Sequence, residues 1–284
     1  MSNKYTLITG ACGGLGRAFV ELCAKEKSNL ILTGTSEKKL QTLILDFQDI
    51  LNDIDVKTVV CDLGSKESRN NLINYVSSNN LVVNRLINNA GLIIEGDTLN
   101  FEDDEILRAV EINCIGTLDL TLKLVKNRDK TQKMEVLTVA SIASSYPIPH
   151  MAVYSATKAF LVSMFTSLAI ELKKENVVVT NVCPGGMATS DAMKESIKSM
   201  GLGGKLSALP TEKVAKIALK ALKKKKTNVV PGFFNKILVL LSKPFSKKFM
   251  AKCSGKIYAK SQSKRGFWYD FIIFLKIGLT KSVI

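Results

Sequence analysis

Histidine is almost missing from this chain of 284 residues, where His150 stands alone. The six cysteines, at positions 12, 23, 61, 114, 183 and 253, are scattered and form no CxxC pair. A Cys/His zinc site has no ligand set to draw on, and no metal is expected. With 6 prolines, 18 glycines and no repeated segment, collagen-like, proline-rich and solenoid classes are excluded. The first five residues run directly into Thr6-Leu7-Ile8-Thr9-Gly10, too short an apolar stretch for a signal peptide. A cytoplasmic, reducing setting is expected. Past Pro231 the longest uninterrupted apolar runs have five residues, far below the ~20 needed to cross a bilayer. No transmembrane helix is expected.

Acidic residues are scarce in one region only. Residues 205–284 carry 19 Lys and Arg against Glu212 and Asp270, so the overall charge of +15 belongs to this end. Residues 1–204 hold 21 basic and 23 acidic residues, a net of −2. A basic tail on a near-neutral body does not read as a nucleic-acid binder.

What is present is an alternation of short apolar strands and amphipathic helices. Strands are expected at Tyr5–Thr9, Asn29–Thr33, Val56–Cys61, Arg85–Asn88, Met134–Ala140, Val177–Cys183 and Thr227–Val230. Helices are expected at Glu37–Leu51, Lys66–Val76, Asp104–Leu124, Tyr154–Lys173 and Thr211–Lys223, with another opening in the glycine-rich stretch Gly10–Gly16. Strands separated by helices imply an α/β fold with a doubly wound, about seven-stranded parallel sheet and right-handed crossovers.

Glycines where the first strand meets the first helix let backbone approach a pyrophosphate at the helix's positive end. Tyr154 and Lys158 are four apart on a helix and share a face, so the ammonium is expected to favour the phenolate and make Tyr154 a tunable general acid. Ser141, at the carboxyl edge of a strand, is placed to hydrogen-bond a carbonyl oxygen that gains charge.

Together these pieces resemble the short-chain dehydrogenase/reductase family, with TGxxxGxG at Thr9–Gly16, Asp62-Leu63, NNAG at 88–91, Ser141 thirteen residues before YxxxK, and Pro184-Gly185 with Thr189. The resemblance covers about residues 3–232 and implies a Rossmann fold, a nicotinamide cofactor and carbonyl–alcohol chemistry. It implies that Lys158 also holds the nicotinamide ribose and that Asn113 anchors a water for proton relay. Gly10, Cys12, Gly14, Leu15 and Gly16 then face the pyrophosphate, and Asp62 and Leu63 the adenine. Asn88, Ala90 and Gly91 wall the ribose, while Asn89 is structural. Pro184, Gly185 and Thr189 close the site after strand six.

Cofactor choice turns on the end of the second strand, Leu32-Thr33-Gly34-Thr35-Ser36, where no acid stands to accept from a ribose hydroxyl. NADP(H) is expected over NAD(H), its 2′-phosphate held by Thr35, Ser36 and Lys38 or Lys39, with Arg17 as a second partner. His150 lies in the loop between Ser141 and Tyr154 and is a candidate substrate contact. Ile142, Tyr146, Ile148, Met151, Met187 and Met193 are candidate apolar lining, which points to an apolar ketone or alcohol. Weak likeness of the C-terminal extension to 3-ketoacyl and hydroxysteroid reductases makes lipid-like ketones the leading substrates. The family also implies a homo-oligomer, a dimer or tetramer. The competing expectation is a nucleotide-sensing or interaction protein that kept the fold and lost turnover.

The extension from Phe233 to Ile284, outside the catalytic unit 1–232, interleaves cations with Phe233, Phe234, Phe245, Phe249, Phe267, Trp268 and Phe271. Such a segment serves as a lid, an oligomer contact or a peripheral membrane-surface element. A lid or contact is the favoured expectation, because a reductase of apolar ketones needs its pocket closed from water.

Overall fold

The structure is a computed structural model that describes residues 3–189, 194, 197 and 201–262. In its first half strands and helical segments alternate, two helices standing between the second and third strands. In chain order these are β1 (Lys4–Ile8), α1 (Gly14–Lys25), β2 (Asn29–Gly34), α2 (Glu37–Asp46), α3 (Gln48–Leu51), β3 (Val56–Val60), α4 (Lys66–Ser78) and β4 (Val82–Asn88). The second half continues with α5 (Asp103–Val110), α6 (Thr117–Lys126), β5 (Met134–Val139), α7 (Ala152–Glu171), β6 (Val177–Val182), α8 (Gly201–Ser207), α9 (Thr211–Lys223) and β7 (Asn228–Val229). Two further helices follow, α10 (Phe233–Ser242) and α11 (Lys247–Gln262).

The strands form one seven-stranded sheet in the order β3-β2-β1-β4-β5-β6-β7, every neighbouring pair parallel. All six residues of β5 are buried, as expected of a strand covered by helices on both faces. One core layer packs Leu72, Leu120, Phe165 and Leu168 from α4, α6 and α7. The opposite layer packs Phe19, Leu40, Val214 and Leu219 from α1, α2 and α9. Strand order reverses between β1 and β4, and the crevice beyond their carboxyl ends is where open α/β sheets bind ligands.

Several elements differ from the sequence expectation, and β4 begins at Val82 rather than Arg85. The helix expected over 37–51 breaks at Phe47, which leaves helical geometry to end α2 and start α3; the Arg17 guanidinium stands 4.9 Å over its ring. The helix expected over 104–124 is interrupted by a wide π-turn, Glu111–Gly116, where a Cβ on Gly116 would fall 2.2 Å from the Leu63 carbonyl. That close approach brings Asn113 to the sheet edge. β7 keeps only two residues of the expected four.

Length and composition alone would let Ala152–Glu175, comprising α7 and its closing turn, cross a membrane, although no such span was expected. In the fold Leu161, Phe165 and Leu168 of this helix are buried in the core against the sheet, which accounts for its apolar character.

Candidate active site

β1 delivers the chain into a tight turn at Gly10, whose φ is +62° and whose added Cβ would lie 2.9 Å from Ala90 Cα. Only glycine fits that approach. The turn is held from β4: the Asn89 amide donates to the carbonyls of Thr9 (3.0 Å) and Gly10 (2.9 Å), and the Thr9 hydroxyl accepts from the backbone of Asn89 and Ala90. α1 then begins with no side-chain cap and no acid in its first turn. Its free amides and dipole are left facing the crevice, the arrangement that receives phosphate.

A cavity of about 670 Å³ runs along this edge. Gly10, Cys12, Gly14, Leu15, Thr35, Asp62, Leu63, Ala90, Gly91, Pro184, Gly185 and Thr189 line it, and Ser141, Tyr154 and Lys158 form its far wall. Thr35, Ser36 and Lys39 lie at the end where a 2′-phosphate would sit, with Lys38 outside the wall. The lining therefore suits a dinucleotide laid from β2 across the α1 terminus to Tyr154.

At the reacting end, Ser141 beside the Tyr154 hydroxyl favours the phenolate, yet burial outweighs that influence and pushes the phenol above its ordinary value. This corrects the expectation of a phenolate favoured by lysine. The Lys158 ammonium lies 5.7 Å from the Tyr154 ring centre and donates to the Val139 carbonyl at 3.0 Å. Burial drives Lys158 down to about 8, against the opposing pull of the Cys114 and Cys183 thiols. Ser141 itself is held by the Ala143 amide, which donates to its Oγ at 3.1 Å.

Asn113 is 1% exposed and lies behind the wall. Its amide donates to the Leu92 carbonyl (2.8 Å) and Thr157 Oγ1 (3.1 Å), and its oxygen accepts from the Leu92 amide (2.7 Å). Those three bonds commit the side chain to positioning the 91–92 segment beside Lys158.

Other expected contacts are relocated. Asn88 turns into the core, donating to Thr121 Oγ1 at 2.8 Å, so its side chain does not wall the ribose; Asn89, expected to be structural, both holds the turn and lines the cavity. Gly16 packs inside the turn rather than lining it. Arg17 is paired with Asp46 at 2.6 Å instead of facing phosphate. His150 Nδ1 meets Asp97 at 2.5 Å and its ring stacks on Tyr258 at 4.7 Å, away from the cavity. Of the apolar candidates Met187 lines the cavity, while Ile142, Tyr146, Ile148 and Met151 do not. Met193, Phe267, Trp268 and Phe271 lie outside the described residues.

Arg108 of α5 is a charged wall residue that the sequence does not reveal. Its guanidinium pairs with Asp62 at 2.7 Å. Burial pushes the Asp62 carboxyl up, but Arg108 and the Gly64 amide outweigh it and hold the group below the usual carboxylate range. Forty-six residues separate the two partners, and no local pattern announces such a pair.

The short chain dehydrogenase family model matches residues 4–200. A 3-oxoacyl-[acyl-carrier-protein] reductase of Rickettsia typhi is 31% identical over 184 residues, 65% of this chain and 73% of that protein. A very-long-chain 3-oxoacyl-CoA reductase of Vanderwaltozyma polyspora is 35% identical over 191 residues, 63% of this chain and 54% of the relative. Among solved structures, a 7beta-hydroxysteroid dehydrogenase superposes with a TM-score of 0.78 at 22% identity, covering 88% of this chain and 96% of its own.

Proposed function

The chain belongs to the short-chain dehydrogenases, oxidoreductases of carbonyl and alcohol groups, and from that premise we propose that it uses NADPH to reduce an apolar, lipid-like ketone, or runs the reverse reaction. The observation that carries this reading is the meeting of Ser141, Tyr154 and Lys158 on one wall of a cavity whose other end offers an uncapped helix and Thr35, Ser36 and Lys39. A bound reduced nicotinamide supplies the hydride.

This chain's residues do the rest. Burial keeps the proton on Tyr154 Oη at neutral pH, so the hydroxyl is a donor to the oxygen that gains charge. Ser141 Oγ orients that oxygen, and Lys158, a cation below pH about 8, stabilises the phenolate left behind and holds the ribose. Asn113 positions the loop that backs them. The absence of an acid at the end of β2, through Gly34, Thr35 and Ser36, supports NADPH. Met187 in the wall and the 3-oxoacyl activity named for both relatives support a long-chain 3-oxoacyl thioester or similar ketone.

We further propose residues 1–232 as the catalytic unit and 233–284 as a C-terminal extension of which α11 is the cover, supported by α11 resting on the loop between Ser141 and Tyr154. There Ser254 Oγ donates to the Pro147 carbonyl at 2.8 Å and Tyr258 stacks on His150. Dimer or tetramer assembly is supported by exposed Leu107, Ile115 and Phe160 around α5–α7. A cytoplasmic setting accords with cysteines dispersed through the fold.

NADPH consumption against a panel of 3-oxoacyl thioesters and bulky ketones tests the reading. Tyr154→Phe should abolish turnover, by at least about a thousandfold, with NADPH still bound. Turnover within tenfold of the parent would remove Tyr154 from the mechanism, and cofactor binding without consumption of any substrate would favour the sensing alternative.

A further inference from the structure

Helix α10 is built inside out. Its two buried residues, Asn235 and Ser242, are both polar, seven apart and therefore on one face. Asn235 is fully buried; its amide donates to the carbonyls of Ser207 (3.0 Å) and Pro231 (2.9 Å), and its oxygen accepts from Ser207 Oγ at 2.8 Å. A Cβ on Gly185, in the cavity wall, would fall 2.7 Å from the same amide, so the polar face is seated firmly against the catalytic body. The opposite face carries Phe233, 81% exposed, and Leu240, 63% exposed, with Ile237 half-buried between them. A soluble surface helix shows the reverse polarity.

The charge on this part of the chain is of one sign. No acidic residue occurs between Glu212 and Asp270. Lys236, Lys243, Lys247, Lys248, Lys252 and Lys256 are all exposed on α10, the turn after it and α11. Apolar side chains facing out beside cations only is the pattern of a helix lying in the headgroup region of an anionic membrane, where the rings and leucines enter the acyl boundary and the ammonium groups meet phosphate. At ten residues, α10 is about 15 Å long, half of the ~30 Å hydrocarbon core, which permits lying on the surface and not spanning.

We propose that α10 and its flanking lysines form a docking surface for anionic phospholipid bilayers. The proposal is independent of which ketone is reduced.

Its test is co-sedimentation of the full chain with vesicles of phosphatidylcholine alone and of equimolar phosphatidylcholine and phosphatidylglycerol. The protein should pellet with the anionic vesicles only and release as salt rises. Leu240→Glu should abolish pelleting while leaving Tm and turnover of a water-soluble ketone unchanged. Each of Lys247, Lys248 and Lys252 changed to Gln should weaken binding by about fivefold. Phe233→Ser gives a second reading of the apolar face should Leu240→Glu lower Tm. Failure of the parent protein to pellet would overturn the proposal, as would undiminished pelleting of both apolar-face variants. A parent that ignores vesicles but is dissociated into smaller assemblies by Leu240→Glu would assign the face to a second copy of the chain.

Discussion

Lys158 shows how strongly one residue's chemistry depends on where the fold puts it. Held to about 8 by burial, it begins to lose its charge just above neutrality, so kcat/KM for ketone reduction should fall as pH rises through about 8. A profile flat to pH 9.5 would contradict that. The same shift has a stability consequence with a definite sign. The unfolded lysine keeps its proton to about 10.5 and the folded one only to about 8. Between those values the unfolded state holds more protons and stability rises with pH; below pH about 8 both states are charged and the full cost of the buried cation is present. Lys158→Met should therefore raise Tm by a few degrees at pH 7, net of the lost bond to Val139, while abolishing turnover. A lower Tm would show that the bond outweighs the burial. At the opposite end of the cavity, a Cβ on Gly34 would meet only ordinary contacts, 3.6 Å from Cys12 Sγ. Gly34→Asp should fold normally and shift relative affinity toward NADH and away from NADPH by at least about tenfold, read from the two dissociation constants. The pairing of Tyr154 with Lys158 was legible because a helix turn brings residues four apart together; the upward direction of the Tyr154 shift was not, because burial belongs to the assembled wall.

At the scale of elements, the glycine turn and the strand that holds it are one device. Asn89 ties both carbonyls of the turn, so Asn89→Ala should weaken cofactor binding by about tenfold and cost about 1–3 kcal/mol of stability through unsatisfied carbonyls. Unchanged cofactor affinity would mean that the turn keeps its shape without the amide. The choice between Asn88 and Asn89 was invisible in the sequence because neighbours at a strand end point to opposite sides, and only the pairing of β4 with β1 and β5 says which side is core. α11 touches the loop before α7 just as closely: a Cβ on Gly255 would lie 2.9 Å from Pro149 Cγ. Gly255→Leu should force the two apart and, if α11 is a cover, raise KM for the apolar ketone severalfold with little change in kcat. An unaltered KM would leave α11 a purely structural prop.

For the molecule as a whole, the alternation of strand and helix, the glycine turn, the serine and YxxxK helix, and the concentration of lysine in the last third are all properties of the amino-acid sequence by itself. They are local: periodicity, turn chemistry and charge count are set by residues close along the chain. The order β3-β2-β1-β4-β5-β6-β7, the Asp62–Arg108 pair, the inward turn of Asn88 and the outward apolar face of α10 were decided by tertiary structure alone. Each depends on which surfaces remain to be buried after distant segments have paired, and that is a competition among non-local contacts that no window of sequence contains.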